Sequence, residues 1–207
     1  MAKFILGKKI GMTQIFNEEG AAVAVTIVEA GPCTVTQVKD ETKDGYRAVQ
    51  VGFGAKKLNK PQGGHVKAFV DERGRGFSML REFTPEAPDE LKQGDSVDIS
   101  QFEVGERVSV AGVSKAKGFQ GVVKRHGFAG GPGSHGMKHT LRTPGSIGSA
   151  YPQRVLKGRR MAGRMGGVRH TTNDLKIVAI DTKNNLIALK GAIPGNNGSY
   201  IEVFSRR

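Results

Sequence analysis

Ala22-Val23-Ala24-Val25-Thr26-Ile27-Val28, then Gly31-Pro32, then Thr34-Val35-Thr36-Gln37-Val38 is the stretch that decides the fold class. Both runs are short and β-branched, and turn residues separate them, which is the pattern of paired strands rather than of helices. Outward from this pair, residues 4–10 and 46–51 have the same character, with turn signals at 17–20 and at Asp44-Gly45. Residues 96–99, 107–113, 175–180 and 186–189 read as further strands, the last two joined through 181–185 as a hairpin. So many short strands manage their open edges best by closing the sheet, so the chain is expected to be mainly β and built on a β-barrel.

Residues 56–94 break the rhythm with Gly63-Gly64, Arg73-Gly74-Arg75-Gly76 and the prolines Pro85 and Pro88, around a weak helical stretch at 65–71. They read as a small α+β insertion. From residue 127 to 165 apolar periodicity is almost absent, and Gly130-Gly131-Pro132-Gly133 and Pro144-Gly145-Ser146-Ile147-Gly148 argue against regular elements. An irregular segment of this length inside a compact chain is a functional or partner-ordered arm. The expected organisation is therefore 1–55 as the first part of the barrel, 56–94 as the insertion and 95–126 as barrel strands with a basic motif. An extended basic arm follows over 127–165, and 166–207 returns as C-terminal barrel strands.

The charge distribution gives that arm its meaning. The 207 residues carry a formal charge of +13 and a pI near 10.0, which calls for a polyanionic partner. Residues 107–173 hold 13 Lys/Arg and neither Asp nor Glu, whereas the remaining 140 residues hold 19 of each sign. Unrelieved like charge on one segment points to an external anion, and a phosphate backbone is the commonest. If about half of these cations touch phosphate, affinity falls with a log-log salt slope of roughly −4 to −6.

Other classes find little support. The longest apolar run, 21–28, is far short of the roughly 20 residues a spanning helix needs, and the first residues lack a leader pattern, so a cytosolic chain is expected. Cys33 is the single cysteine, which excludes an intramolecular disulfide and a Cys-x-x-Cys metal site; it reads as a small half-buried residue. His135 and His139 stand four apart, but Gly136 between them disfavours a helix and no carboxylate or cysteine is near, so no metal and no cofactor are expected. Ser134-His135 and Ser146 lack an acid to orient a catalytic histidine. The paired carboxylates Glu18-Glu19 and Asp71-Glu72 lie outside the basic segment, where turn and surface roles suffice.

Two motifs carry the RNA-binding chemistry. Residues 114–128, Ser-Lys-Ala-Lys-Gly-Phe-Gln-Gly-Val-Val-Lys-Arg-His-Gly-Phe, offer glycines for close approach, the cations Lys115, Lys117, Lys124, Arg125 and His126, and two aromatics able to stack on bases. A strand and turn with Phe119 and Phe128 in a core is the plain alternative. Residues 157–170 supply Lys157, Arg159, Arg160, Arg164 and Arg169, whose guanidiniums suit bidentate phosphate contact. Between them stand His135, Lys138, His139, Arg142 and Arg154, completing the expected RNA-binding set.

Leu6-Gly7-Lys8-Lys9-Ile10-Gly11-Met12-Thr13-Gln14-Ile15-Phe16, Lys117-Gly118-Phe119-Gln120-Gly121-Val122-Val123-Lys124-Arg125, His139 with residues 142–148, and residues 155–163 ending in Met161-Ala162-Gly163 resemble, in order and nearly end to end, the universal large-subunit ribosomal protein three family in its bacterial form. The resemblance implies a barrel of the type shared with translation factors, docked on large-subunit (23S-type) ribosomal RNA near its 3′ end. It also implies early action in subunit assembly and contact with neighbouring large-subunit proteins, with no catalytic residue, no small-molecule substrate and no membrane. Residues 142–154 would then approach the peptidyl transferase centre, with Pro144, Gly145, Ser146, Ile147, Gly148 and Ser149 at the tip. Three positions depart from the family pattern. Ala116 and Gln153 stand where glycine is usual, and Ser149-Ala150-Tyr151 follows the turn after which some members carry a methylated glutamine, so that modification is not carried over. An RNA chaperone, or an RNA-modifying or RNA-cleaving enzyme using His126, His135 or His139, is the rival reading.

Overall fold

The computed structural model describes residues 3–57, 64–70, 74–84 and 91–205. In chain order the strands are β1 (Phe4–Phe16), β2 (Ala22–Ala30), β3 (Cys33–Lys39), β4 (Ala48–Lys57), β5 (Arg75–Phe83), β6 (Ser96–Val97), β7 (Arg107–Val113), β8 (Phe119–Gln120), β9 (Gly163–Arg164), β10 (Arg169–Asp181), β11 (Leu186–Lys190) and β12 (Tyr200–Ser205). Two short helices, α1 (Glu41–Asp44) and α2 (Val122–His126), complete the regular elements among the described residues together with 3-10 turns at Gly64–Phe69 and Ile99–Gln101. The chain divides into two compact units, Met1–Ser114 with Arg169–Arg207, and Lys115–Val168.

In the first unit β1, β12, β7, β10, β11 and β2 pair in that order, and β2 returns to β1, so the antiparallel sheet closes as a barrel. The seam is set by Phe4↔Phe204 through Lys8↔Tyr200 between β1 and β12. A second sheet runs β5-β4-β3-β6. Here the sequence reading needs correction. Residues 34–38, 48–51 and 96–97 of the runs expected as barrel strands supply β3, β4 and β6 of this second sheet, whereas Tyr46 and Arg47 precede β4 and Ile99 opens a 3-10 turn. The reason is β5. Its pairing along β4 from Val49↔Phe83 to Lys57↔Arg75 gives β4 a partner outside the ring. β5 and the 3-10 turn at Gly64–Phe69 lie in the expected insertion, whose helical stretch is thus 3-10 over its described residues. Asp71-Glu72 and the segment 85–90 lie outside the described residues.

Alternation explains the core. Ile5, Val28, Val108, Val110, Ile177, Ile187, Leu189, Ile201 and Val203 are buried in the barrel, and Val35, Val49, Val51 and Phe53 on the second sheet join the same apolar cluster. Each such side chain contributes about 1.5–3 kcal/mol on burial. Phe4 of β1 stacks on Phe83 of β5, centroids 4.5 Å apart and planes 14° from parallel. Cys33, expected half-buried, is fully buried. Its thiol, 3.6 Å from the Leu6 carbonyl oxygen, is pushed by desolvation from 9.0 up to about 12.

The outward face of β12 carries a charge cluster. Glu202, between the inward Ile201 and Val203, accepts from Arg81 Nε at 2.8 Å and from Arg169 Nη2 at 2.5 Å. One nearly buried carboxylate thus joins the second sheet to the barrel.

Candidate nucleic-acid interface

Lys115–Val168 contains 11 Lys/Arg and not one Asp or Glu, so the first unit, with 21 cations against 19 anions, is close to neutral. Within this second unit Val122 is the only buried residue, and every residue from 132 to 162 is exposed. A segment without a core cannot offset the conformational entropy of holding one shape, about 1–2 kcal/mol per residue, from its own burial. The compact unit begins at Lys115 rather than at residue 127, taking in the basic motif that the sequence groups with barrel strands.

Its base is a two-stranded ribbon. Phe119 of β8 lies opposite Arg164 of β9, and Gln120 opposite Gly163. Lys117 N donates to Met165 O and Met165 N to Gly118 O, each at 2.9 Å. The close return depends on Gly166, at φ +71, where a Cβ would stand 2.0 Å from the Lys115 carbonyl oxygen. After the ribbon comes α2, closed by Gly127 in the left-handed conformation at φ 73. Its last turn holds Lys124, Arg125 and His126, the charge a helix C-terminus favours.

Three stretches that are far apart in the chain meet here. Arg125 Nη1 donates to the Met161 carbonyl oxygen at 2.6 Å, and His126 Nε2 lies 3.0 Å from the same oxygen. Arg160 packs its guanidinium 5.0 Å from the centre of the Phe128 ring, a cation–π contact. Arg159 Nη2 donates to Ser146 O at 2.6 Å, tying the second basic motif to the loop of Pro144, Gly145, Ser146, Ile147, Gly148 and Ser149. Ser146 Oγ turns back to Gly148 O at 2.9 Å, so it serves the turn.

Other expected residues stand apart. Lys115, Lys117, Lys124, Lys138, His139, Arg142, Arg154, Lys157 and Arg164 make no side-chain hydrogen bond or ion pair, and all are exposed. His135 sits in a turn at φ 61, with no helix to align it with His139. Arg169 belongs to the first unit, where Glu202 takes its charge. Phe119, with a core as its plain alternative, is 77% exposed, whereas Phe128 is half-buried beneath Arg160. Gln153 adopts φ 60, the left-handed region where glycine is favoured, at a position where the resemblance leads one to expect glycine. Sequence reasoning missed the Met161 carbonyl as a shared acceptor and Glu202 as the partner of Arg169. Neither leaves a local signal, since the partners are 33–36 residues apart.

The arrangement presents an acid-free array of donors on exposed chain, suited to phosphates and to bases rather than to turnover. The family model for ribosomal protein L3 matches residues 82–188. The large ribosomal subunit protein uL3 of Chlorobium limicola is 50% identical over 206 residues, spanning 97% of each chain. That of Herpetosiphon aurantiacus is 48% identical over 207 residues, 98% of this chain and 96% of its own. That of Pelotomaculum thermopropionicum is 48% identical over 204 residues, 97% and 95%. With the family model and these near end-to-end relatives in agreement, the chain belongs to the ribosomal protein L3 family.

Proposed function

We propose that this chain is a structural constituent of the large subunit of the cytoplasmic ribosome, binding large-subunit ribosomal RNA directly through Lys115–Val168. The observation that carries the reading is that this unit combines 11 cations and no acid with a single buried side chain. Phosphates supply the missing countercharge, and packing against folded RNA supplies the missing core. The relatives are themselves named as large ribosomal subunit proteins.

In finer detail, the near-neutral barrel, of the type shared with translation factors, anchors on 23S-type RNA near its 3′ end, beside neighbouring large-subunit proteins. Binding occurs early in assembly. Residues 142–154 extend toward the peptidyl transferase centre, their tip held to the basic motif by the Arg159 bond to Ser146 O. The RNA-binding set is Lys115, Lys117, Lys124, Arg125, His126, His135, Lys138, His139, Arg142, Arg154, Lys157, Arg159, Arg160 and Arg164, with Arg169 shared with Glu202.

The L3 family consists of structural ribosomal components, not enzymes. The site agrees chemically, because no carboxylate in the unit can orient His126, His135 or His139 for acid–base work. The test is sedimentation of lysate through a gradient at high salt. Retention with large subunits is expected, and recovery in light fractions alone would overturn the proposal in favour of a general RNA chaperone.

A further inference from the structure

Within the basic unit lies an open surface pocket of about 460 Å³ whose lining includes no charged residue. Phe128, Met137 and Pro144 form apolar wall, and Gly131, Thr140 and Thr143 add backbone and hydroxyl groups. We infer that this cavity receives one unstacked RNA base, a recognition subsite separate from the surrounding phosphate contacts. This deepens the RNA-binding reading and rests on it.

The cavity belongs to a clasp whose backbone is tied together. Gly131 N donates to Thr140 O at 3.1 Å, and the same oxygen accepts from Thr143 N at 3.3 Å and Thr143 Oγ1 at 2.9 Å. The two segments approach so closely that a Cβ on Gly130 would stand 2.2 Å from Leu141 O, and one on Gly131 2.7 Å from Thr140 O. Glycine is required at both places for that spacing. Phe128 is held from outside the cavity by Arg160, which packs over its ring. The volume falls within the range of about 300–1,000 Å³ usual for small-molecule sites.

Charge decides between base and phosphate. All 11 cations of the unit lie outside the lining, so a phosphate seated there would meet no opposite charge. A base instead presents flat faces to Phe128, Met137 and Pro144, while its edge meets the Thr140 hydroxyl and the lone pairs of the Thr143 hydroxyl, whose proton goes to Thr140 O. The surrounding cations attract a polyanion, and the uncharged cavity accepts the part of it that carries no charge.

The test uses the full chain and two probes of about ten nucleotides, within the usual footprint of single-strand grooves. One is a mixed-sequence single-stranded RNA; the other is the same ribose-phosphate backbone without bases. The wild-type chain should prefer the base-bearing probe by about tenfold, as one stacked base contributes. Ala129→Leu, which fills the cavity from an exposed lining position without altering charge, should abolish that preference and leave the salt slope unchanged. Tyr151→Ala, at an exposed aromatic outside the lining, should keep it. A preference that survives Ala129→Leu, or that is lost only on removing Tyr151, would overturn the cavity assignment while leaving RNA binding in place. Equal binding of both probes would do the same. Failure to bind either probe in a salt-dependent way would overturn the RNA-binding reading with it.

Discussion

Raising the salt concentration should weaken RNA binding by an amount the structure bounds. Eight cations of Lys115–Val168 are exposed and without a side-chain partner: Lys115, Lys117, Lys124, Lys138, Arg142, Arg154, Lys157 and Arg164. Arg125, Arg159 and Arg160 already hold carbonyl oxygens or an aromatic ring. If between about five and eight cations meet phosphate, each releases counterions equivalent to 0.7–0.9 of log-log slope, giving roughly −4 to −7. A fourfold rise from 50 to 200 mM then costs about 10²- to 10⁴-fold in affinity. The assay is a titration of large-subunit RNA with the full chain at four or more salt concentrations. Lys157→Ala, which removes one unpartnered charge, should make the slope shallower by about 0.7–0.9. A slope near zero, or one that Lys157→Ala leaves untouched, would refute the electrostatic reasoning.

Three further outcomes follow from the first unit. Val113 and Arg169 are cross-strand partners, so replacing Lys115–Val168 by a tight turn should leave a barrel with a cooperative thermal transition by circular dichroism and little RNA affinity; a chain that no longer folds would show that the barrel needs the arm. Glu202→Ala leaves Arg81 and Arg169 without their shared carboxylate and should cost about 1–3 kcal/mol in urea unfolding, discounted because both guanidiniums are half exposed. Unchanged stability would mean that the cluster is energetically idle. Cys33, its thiol raised from 9.0 to about 12, should resist thiol reagents at pH 8 until the chain unfolds. Because its folded pKa is the higher one, its contribution is complete below about pH 9 and is lost as pH rises toward 12, so Cys33→Ala should show a shallower alkaline loss of stability.

Where the two-residue period runs unbroken, the sequence was legible: β2, β3, β7 and β11 lie within a residue or two of the expected runs. Bulges hid the rest of two long strands. The register of β1 shifts between Lys9 and Gly11, and that of β10 between Thr172 and Leu175, where Asp174 takes φ 59. Each bulge resets the alternation, so the sequence ended one strand at residue 10 and began the other at 175. β5 was concealed by its Arg-Gly flank, and β12 by the turn-rich 194–199 before it. The proposed interface stands out as charge, because the absence of acids from residues 115–168 needs no fold to be seen. Its geometry does not, since the meeting of Arg125 and His126 at Met161 depends on contacts across a segment with no periodic apolar pattern.

The barrel seam sets an order of events during synthesis. Phe4 lies opposite Phe204, so at about 5–20 residues per second roughly 10–40 s separate the making of β1 from that of its partner. Lys115–Val168 is translated inside that interval, before β10, β11 and β12 exist. A segment with no core of its own has nothing to wait for, whereas the ring stays open until its last strand arrives. In the nascent chain the acid-free basic segment is therefore finished before the ring of the first unit can close.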